Sequence, residues 1–324
     1  MKSFKIVLTV VVAAIVLLSL IRLQPDVFSI AFGSPMAFLR LLTIVSPLLI
    51  SGLAVHASLV TGRILIAGEG IYAAGGITVA LVGTSLVNTP FGLWLGLAVA
   101  FGIGSSIGIL ISWLRESKGV HEVISGLLLN YLLQLITRFL ANGPFRDPTS
   151  DAPHTRELLW TLPLLFPDTD VNIGLVVGCI LTAGYIYVLH KTIIGRYIRS
   201  LGSTDGIAFV AGLPPVRTRM IIMAFSAGLI GLAGAISIGS AGPFRRFPAD
   251  FYGSGVGFDG LIVGLLAGPT AWLLIPSSLL IACLSHLSDA LSLATSLPRQ
   301  VGSLAGAFLF LLAAYFRYRK QPRT

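Results

Sequence analysis

Residues 37–60 read AFLRLLTIVSPLLISGLAVHASLV, an apolar run in which Arg40 is the one charged side chain. About 20 consecutive apolar residues are enough to cross a bilayer as a helix. Similar runs recur along the chain, and we place them at residues 6–24, 37–60, 64–87, 91–114, 120–141, 171–189, 217–240, 258–272, 272–288 and 300–316. The sequence therefore predicts an all-α, polytopic membrane protein with about ten transmembrane helices.

The eighth and ninth runs are short, and only Gly268-Pro269-Thr270 separates them. They can instead form one broken or re-entrant element that does not fully cross the membrane, and a count of eight spans is the alternative. Lys2 and Lys5 precede the first run, as in a signal peptide, but that run is long and no convincing small-x-small cleavage site follows it. We expect an uncleaved first helix.

Composition excludes a soluble globular enzyme. Of the 324 residues, 55% are hydrophobic and 11% are charged, against roughly a quarter charged in an ordinary soluble domain. The mean hydropathy is +0.91. No Pro-rich or charged linker divides the chain, so we expect a single transmembrane domain over residues 1–324.

The net charge of +9 is best explained by membrane orientation, because Lys and Arg concentrate in cytoplasmic loops. With a cytoplasmic N-terminus and an even number of spans, both termini are cytoplasmic. The cytoplasmic cations are then Lys2, Lys5, Arg63, Arg115, Lys118, Lys191, Arg196, Arg199, Arg217, Arg219, Arg317, Arg319, Lys320 and Arg323. Residues 142–170 become the long outer loop and residues 190–216 the long inner loop, and no nucleic-acid partner is needed.

We interpret no motif in the sequence as a catalytic or nucleotide-binding site. It contains no Walker A motif, so any ATP energy must come from another subunit. Cys179 and Cys283 are lone thiols in apolar spans, without the spacing of a metal or redox site. Gly255-Val256-Gly257-Phe258-Asp259-Gly260 matches a dinucleotide-binding pattern, but we interpret it as close helix packing. We expect a transport protein that is not an enzyme and binds no metal or cofactor.

Glu69 is a candidate for the solute pathway. It lies in Gly68-Glu69-Gly70 near the start of the third span, and Gly75-Gly76 follow, so this helix is predicted to be broken. A carboxylate inside a membrane needs a partner or water. The functional interpretation is a polar site at a helix break. The alternative is a structural carboxylate near the cytoplasmic surface, bound by backbone amides.

A polar stripe on the fifth span is a second candidate. Its residues recur at every fourth position, on one face of a helix that should point to protein or water. They are Glu122, Gly126, Asn130, Gln134 and Arg138. The stripe either lines a path for a polar solute or makes structural bonds between helices.

Two loop segments carry further signals. In the inner loop, Asp205 can begin a short helix that Gly212 ends, and Ile207 and Phe209 then form a docking surface. In the outer segment 243–252, aromatic and cationic side chains alternate. This segment is either an interfacial anchor or a stacking surface at the outer mouth of the pathway.

Four stretches together resemble the permease subunit of bacterial ABC importers, of the class that handles branched-chain amino acids, ribose, simple sugars and nucleosides. They are Gly62 to Gly76, Glu122 to Tyr131, the Gly202 to Gly212 loop, and Gly253 to Gly268, which reads GSGVGFDGLIVGLLAG. Asn142-Gly143-Pro144-Phe145-Arg146-Asp147-Pro148, followed by a long outer loop, is similar to the larger permease of nucleoside importers. The sequence leaves nucleosides and simple sugars as alternative solutes.

The resemblance implies several partners in a bacterial inner membrane. They are a cytoplasmic ATPase subunit that uses ATP and Mg, a second permease subunit, and an extracytoplasmic binding lipoprotein. It implies coupling to the ATPase through Asp205, Ile207, Ala208, Phe209 and Gly212, and a pathway near Glu69, Asn130, Gln134 and Asp259. Gly206-Ile207-Ala208 and Ile71 depart from the family's usual Glu-Ala-Ala and Gln. The alternative function is an ion-coupled secondary transporter.

Overall fold

The computed structural model describes residues 30–86, 89–166, 169–202, 214–240, 245–249, 251 and 255–295. Across these ranges the regular structure is helical, apart from three isolated β-bridges in the loops. The first and tenth predicted spans, 6–24 and 300–316, lie outside the described residues. The count of ten spans therefore stays a prediction.

The helices are α1 (Pro35–Val60), α2 (Gly68–Leu81), α3 (Pro90–Lys118), α4 (Glu122–Asn142), α5 (Gly174–Lys191), α6 (Ile193–Leu201), α7 (Pro215–Ile238), α8 (Val256–Ala267) and α9 (Leu274–Thr295). A π-helical turn, Val82–Leu86, continues α2, and a 3-10 turn, Ala271–Leu273, precedes α9. Six helices in the described part are long and apolar enough to cross a membrane. The predicted all-α, polytopic membrane fold is confirmed.

Local sequence explains several helix ends. Ser34 caps α1 by accepting a hydrogen bond from the Ala37 amide at 3.1 Å, and proline occupies the first turn of α1, α3 and α7. Gly119 ends α3 with φ +68°, a left-handed conformation that favours glycine. The short turn after it sends α4 back across the membrane.

The helices alternate between two ends of the molecule. We call the end that carries residues 143–166 and 169–173 the long-loop end, and the end that carries residues 61–67, 119–121 and 192–202 the short-loop end. At the long-loop end, the amides of Thr155 and Leu158 donate to the carbonyls of Phe247 and Arg245, at 3.0 and 2.7 Å. The predicted outer loop and part of the aromatic and cationic segment 243–252 therefore pack together.

Helix α7 lies in the centre of the described bundle and packs against α1, α2 and α3. Small residues allow the close approach of its backbone. A side chain at Gly231 would meet the Ala100 carbonyl at 2.5 Å, and one at Gly234 would meet the Tyr72 backbone. Gly231 and Gly234 therefore let α7 pack closely against α3 and α2.

Helix α8 runs beside α1 in the same direction, as two contacts along their length show. A Cβ added to Gly260 would meet Ser51 at 2.5 Å, and one added to Gly264 would meet Val55 at 2.9 Å. Because α8 has 12 residues, it spans only about 18 Å. It begins roughly midway along the 26-residue α1 and ends at Gly268, where φ is +61°.

The predicted eighth span, 258–272, is therefore a half-helix, and the predicted ninth span is the full-length α9. The third span is interrupted in the same way, because its helix, α2, begins only at Gly68. Its first residue, Gly68, packs on the backbone of Gly257 at the start of α8, so α2 also begins midway through the bundle. The third span, predicted at 64–87, is wrong at its start, because residues 63–66 are non-helical.

Candidate functional site

The starts of α2 and α8 meet inside the bundle, and Glu69 joins them. One carboxylate oxygen of Glu69 accepts a hydrogen bond from the Gly255 amide at 3.0 Å, and the other accepts from the Gly257 amide at 2.8 Å. Only 1% of Glu69 is exposed. The first amides of a helix lack intrahelical partners and carry partial positive charge. Glu69 therefore binds the N-terminus of α8.

Asn130 plays the corresponding part for α2. Its side-chain oxygen accepts a hydrogen bond from the Gly70 amide at 2.6 Å, and 1% of the residue is exposed. Helix α4 can approach α2 this closely because Gly70 has no side chain. A Cβ at Gly70 would clash with the Asn130 backbone. Side-chain oxygens of the chain itself therefore bind amides in the first turns of both half-helices.

The other two predicted pathway residues lie close by. Asp259 is on the first turn of α8 and accepts a hydrogen bond from the Ser285 hydroxyl of α9 at 3.5 Å. Gln134 is half-buried one turn beyond Asn130 on α4. The structure thus brings Glu69, Asn130 and Asp259 to one place and leaves Gln134 at its margin. Their role in solute passage stays a prediction.

Both interpretations of Glu69 are partly reflected in this geometry. Backbone amides bind the carboxylate, as the structural alternative expects. Glu69 lies deep in the bundle, as the functional interpretation expects, because the start of α8 that it binds is about midway along α1 and not at a surface. A helix break with a buried carboxylate at this depth is a feature of transporter sites.

The glycines of the Gly255–Gly260 stretch make this meeting possible. Gly255 has φ +73°, and a Cβ on Gly257 would come within 2.5 Å of the Glu69 Cα. Any side chain at Gly257 would push the two half-helices apart. The stretch therefore packs closely against the start of α2, as we interpret it from the sequence.

A charged network lies at the short-loop end, below Glu69, and sequence reasoning missed it. Glu122 contacts Arg115 at 2.7 Å and Arg63 at 3.5 Å, and Arg63 also pairs with Glu116. The Glu122 side chain is 6% exposed. The sequence signal that could have indicated this network is the presence of opposite charges near the end of α3 and the start of α4. The network fixes the non-helical segment before α2 to the α3–α4 turn.

The polar stripe on α4 is only partly directed inward. Glu122, Gly126 and Asn130 are buried and face protein, as predicted, whereas Gln134 is half-buried and Arg138 is exposed. Glu122 and Asn130 make bonds between elements. The stripe therefore fastens α4 to the segment that begins α2.

The predicted coupling residues Asp205, Ile207, Ala208, Phe209 and Gly212 lie outside the described residues. Both flanks of their loop are described. A side chain at Gly202 would meet the carbonyl carbon of Val60 at 3.2 Å, and the Arg219 guanidinium donates to the Leu201 carbonyl at 3.0 Å. The residues just before the loop are thus attached both to the end of α1 and to the start of α7.

The sequence matches the family described as "Branched-chain amino acid transport system / permease component" over residues 37–314. The chain belongs to this family and is a multi-pass membrane protein of the permease class.

Three relatives resemble it over most of its length. A nucleoside ABC transporter permease protein of Lactococcus lactis subsp. cremoris is 25% identical over 304 residues, covering 90% of this chain and 83% of that protein. A guanosine ABC transporter permease protein of Bacillus subtilis is 26% identical, with 83% and 78% covered. A glucose ABC transporter permease protein of Haloferax volcanii is 28% identical, with 84% and 76% covered.

A solved structure shares the fold. It is an inward-facing conformation of a protein assigned as a metal-chelate type ABC transporter, with a TM-score of 0.50 and 16% identity, covering 96% of this chain and 98% of that one. The resemblance to ABC importer permeases that the sequence motifs indicate is confirmed. The ion-coupled alternative finds no support in these comparisons.

Proposed function

We propose that the chain is the transmembrane subunit of an ATP-binding-cassette importer that takes up nucleosides or simple sugars by alternating access. The observation that carries the proposal is the meeting of α2 and α8 midway through the bundle, with Glu69 bonded to both Gly255 and Gly257. Interrupted helices that meet at mid-membrane form the solute sites of many transporters.

The occupied helix starts favour an uncharged solute. Free amides at a helix N-terminus attract anions such as carboxylates and phosphates. In this chain Glu69 and Asn130 already accept hydrogen bonds from such amides. Nucleosides and simple sugars carry hydroxyl groups and no carboxylate, and the names of the relatives point to the same solutes.

Identifying the ligand of the cognate binding protein tests the solute class. We expect guanosine, uridine, ribose or glucose to bind, and leucine and nucleoside monophosphates not to bind. Selective binding of leucine or of a monophosphate would contradict the proposed solute class while leaving the transport function intact.

Family membership and charge support the proposed partners and orientation. A cytoplasmic ATPase would hydrolyse ATP with Mg, a second permease would complete a heterodimer, and an extracytoplasmic lipoprotein would deliver the solute. The chain itself would bind no cofactor and catalyse no reaction. Cations gather at the short-loop end, and we propose that this end and both termini are cytoplasmic. They are Arg63, Arg115, Lys118, Lys191, Arg196, Arg199, Arg217 and Arg219.

The fold offers a route from the ATPase to the half-helices. Residues 203–213 would take the push when the ATPases close. The residues just before this segment contact both helices, because Gly202 packs on the end of α1 and Leu201 accepts a hydrogen bond from Arg219 of α7. Helix α1 packs against α8, and α7 packs against α2. Movement of α1 relative to α7 would therefore shift the starts of α2 and α8 and open the pathway to alternate sides.

The coupling test uses the complete transporter in proteoliposomes. We expect Phe209→Asp and Gly212→Asp to abolish ATP-driven uptake while the chain remains inserted in the membrane. Val216→Asp, just beyond the segment on the first turn of α7, is the control and should transport normally. Uptake that survives in both loop variants would contradict the coupling assignment. Uptake that persists without ATP and collapses with an ion gradient would contradict the importer itself.

A further inference from the structure

The long loop contains nine residues without a charged side chain. Residues 158–166 read LLWTLPLLF. Leu158 and Leu162 are buried, at 2% and 3% exposure, whereas Leu159, Trp160 and Phe166 are exposed at 70%, 47% and 47%. One side of the segment thus packs on the protein, and the other side presents apolar and aromatic groups outward.

The contacts of the buried side give the depth of the segment. Leu158 packs where a side chain at Gly83 would lie, in the π-helical turn that ends α2. The Leu162 amide donates to the carbonyl of Gly239, the residue that caps α7, at 2.8 Å. The segment therefore lies at the level where α2 and α7 reach the long-loop end.

Two of the tryptophans mark the same level. The chain has four, all of them exposed, and they divide between the two ends of the bundle. Trp94, near the start of α3, and Trp160 are at the long-loop end. Trp113, near the end of α3, and Trp272, in the turn between α8 and α9, are at the short-loop end. Trp concentrates at both membrane–water interfaces, with its ring at headgroup level.

We propose that residues 158–166 lie in the lipid interface at the long-loop end and anchor the long loop to the membrane. The exposed groups suit this environment, because Leu159, Leu165 and Phe166 supply apolar surface and Trp160 can direct its N–H to headgroups. A protein partner that docks through charge would find no charged side chain in the segment. The lipid contact holds the loop against the ends of α2 and α7.

The test measures the depth of Trp160 in vesicles. A chain with Trp94→Phe, Trp113→Phe and Trp272→Phe keeps Trp160 as its single fluorophore. Phosphatidylcholine with a quencher near the ester groups should quench it more than lipid with the quencher at the acyl ends. The expected depth is about 5–10 Å below the headgroup surface. A matched chain that keeps only Trp94 gives the reference for the predicted interfacial level.

A second arm keeps all the tryptophans in case their removal impairs folding. Leu165→Cys, combined with Cys179→Ser and Cys283→Ser, carries an environment-sensitive dye at one position of the segment. A blue-shifted emission that shallow lipid quenchers reduce supports the anchor. Quenching by aqueous iodide alone, or protection that appears only after the binding protein or a second permease is added, overturns it. Neither result depends on the solute or on transport activity.

Discussion

Replacing Gly257 by alanine should force apart the two half-helices that meet at Glu69. An alanine Cβ there would lie 2.5 Å from the Glu69 Cα, and ordinary contact begins at 3.4 Å. The backbones would have to separate by about 1 Å. Helix α8 cannot simply retreat, because Gly260 and Gly264 hold it equally close to α1.

Two costs add in this variant. Overpacking a close contact costs about 1–3 kcal/mol. A separation of this size also lengthens the 2.8 Å bond from the Gly257 amide to Glu69 beyond hydrogen-bond distance, and losing a hydrogen bond to a charged group costs about 1.5–3 kcal/mol. We expect the free energy of unfolding to fall by about 3–5 kcal/mol.

Denaturant unfolding of the purified chain in detergent, followed by tryptophan fluorescence, measures this loss. The control is Gly102→Ala, where a Cβ on the exposed face of α3 meets nothing within 4 Å. Alanine is a better helix former than glycine by about 1 kcal/mol, so the control should be unchanged or slightly more stable. If Gly257→Ala unfolds at the same denaturant concentration as the control, the close contact between α2 and α8 is refuted.

Three further perturbations test other parts of the molecule. Asn130→Leu removes the acceptor of the buried Gly70 amide, so it should lower the free energy of unfolding by about 1–3 kcal/mol and impair uptake more than expression. Asn130→Asp keeps the acceptor and should have a smaller effect. Unaltered uptake kinetics in the leucine variant would assign the residue a purely structural role. Glu122→Gln deprives two arginines of their shared carboxylate and should lower the free energy of unfolding by about 2 kcal/mol, less than for a fully buried pair because one arginine is a third exposed. The control, Glu157→Gln, removes a carboxylate from an exposed pair and should have no measurable effect. Equal losses in the two variants would show that burial does not distinguish the pairs. Hydrogen bonds from the Thr149 hydroxyl and amide lower the pKa of Asp147. They therefore stabilise this turn of the long loop at pH values above the ordinary pKa of 3.8, and this stabilisation is lost as pH falls through the lowered pKa. NMR titration should give a lower midpoint for this carboxyl in the protein than in a peptide of the loop, and identical midpoints would refute the stabilisation.

Hydropathy predicted the full-length helices well and the interrupted ones poorly. Helices α3, α4 and α7 begin and end within a few residues of the predicted spans, because their apolar character changes sharply at each end. The third span fails at its start, since residues 64–67 are apolar although the backbone at residues 63–66 is not helical. Mean hydropathy depends only on the side chains, so it does not detect a stretch whose backbone is non-helical while its side chains are still apolar.

The candidate site shows the same division. Glu69, Asn130 and Asp259 could be selected from the sequence because polar side chains within apolar spans are costly and need a reason. Their partners could not be selected. Glu69 binds amides 186 and 188 positions away, and Asn130 binds one 60 positions away. The charged network below them also joins separate elements, and only the individual charges were visible.

The sequence by itself determined that this chain is a helical membrane protein, how its cations are distributed, and which permease family its motifs resemble. These properties follow from local composition and spacing, which every short stretch carries independently of the rest. The tertiary structure decided that two helices start midway through the bundle and that Glu69 joins them. That arrangement depends on which backbones approach within van der Waals contact, and glycines on four helices, α1, α2, α7 and α8, permit it only when those helices are brought together.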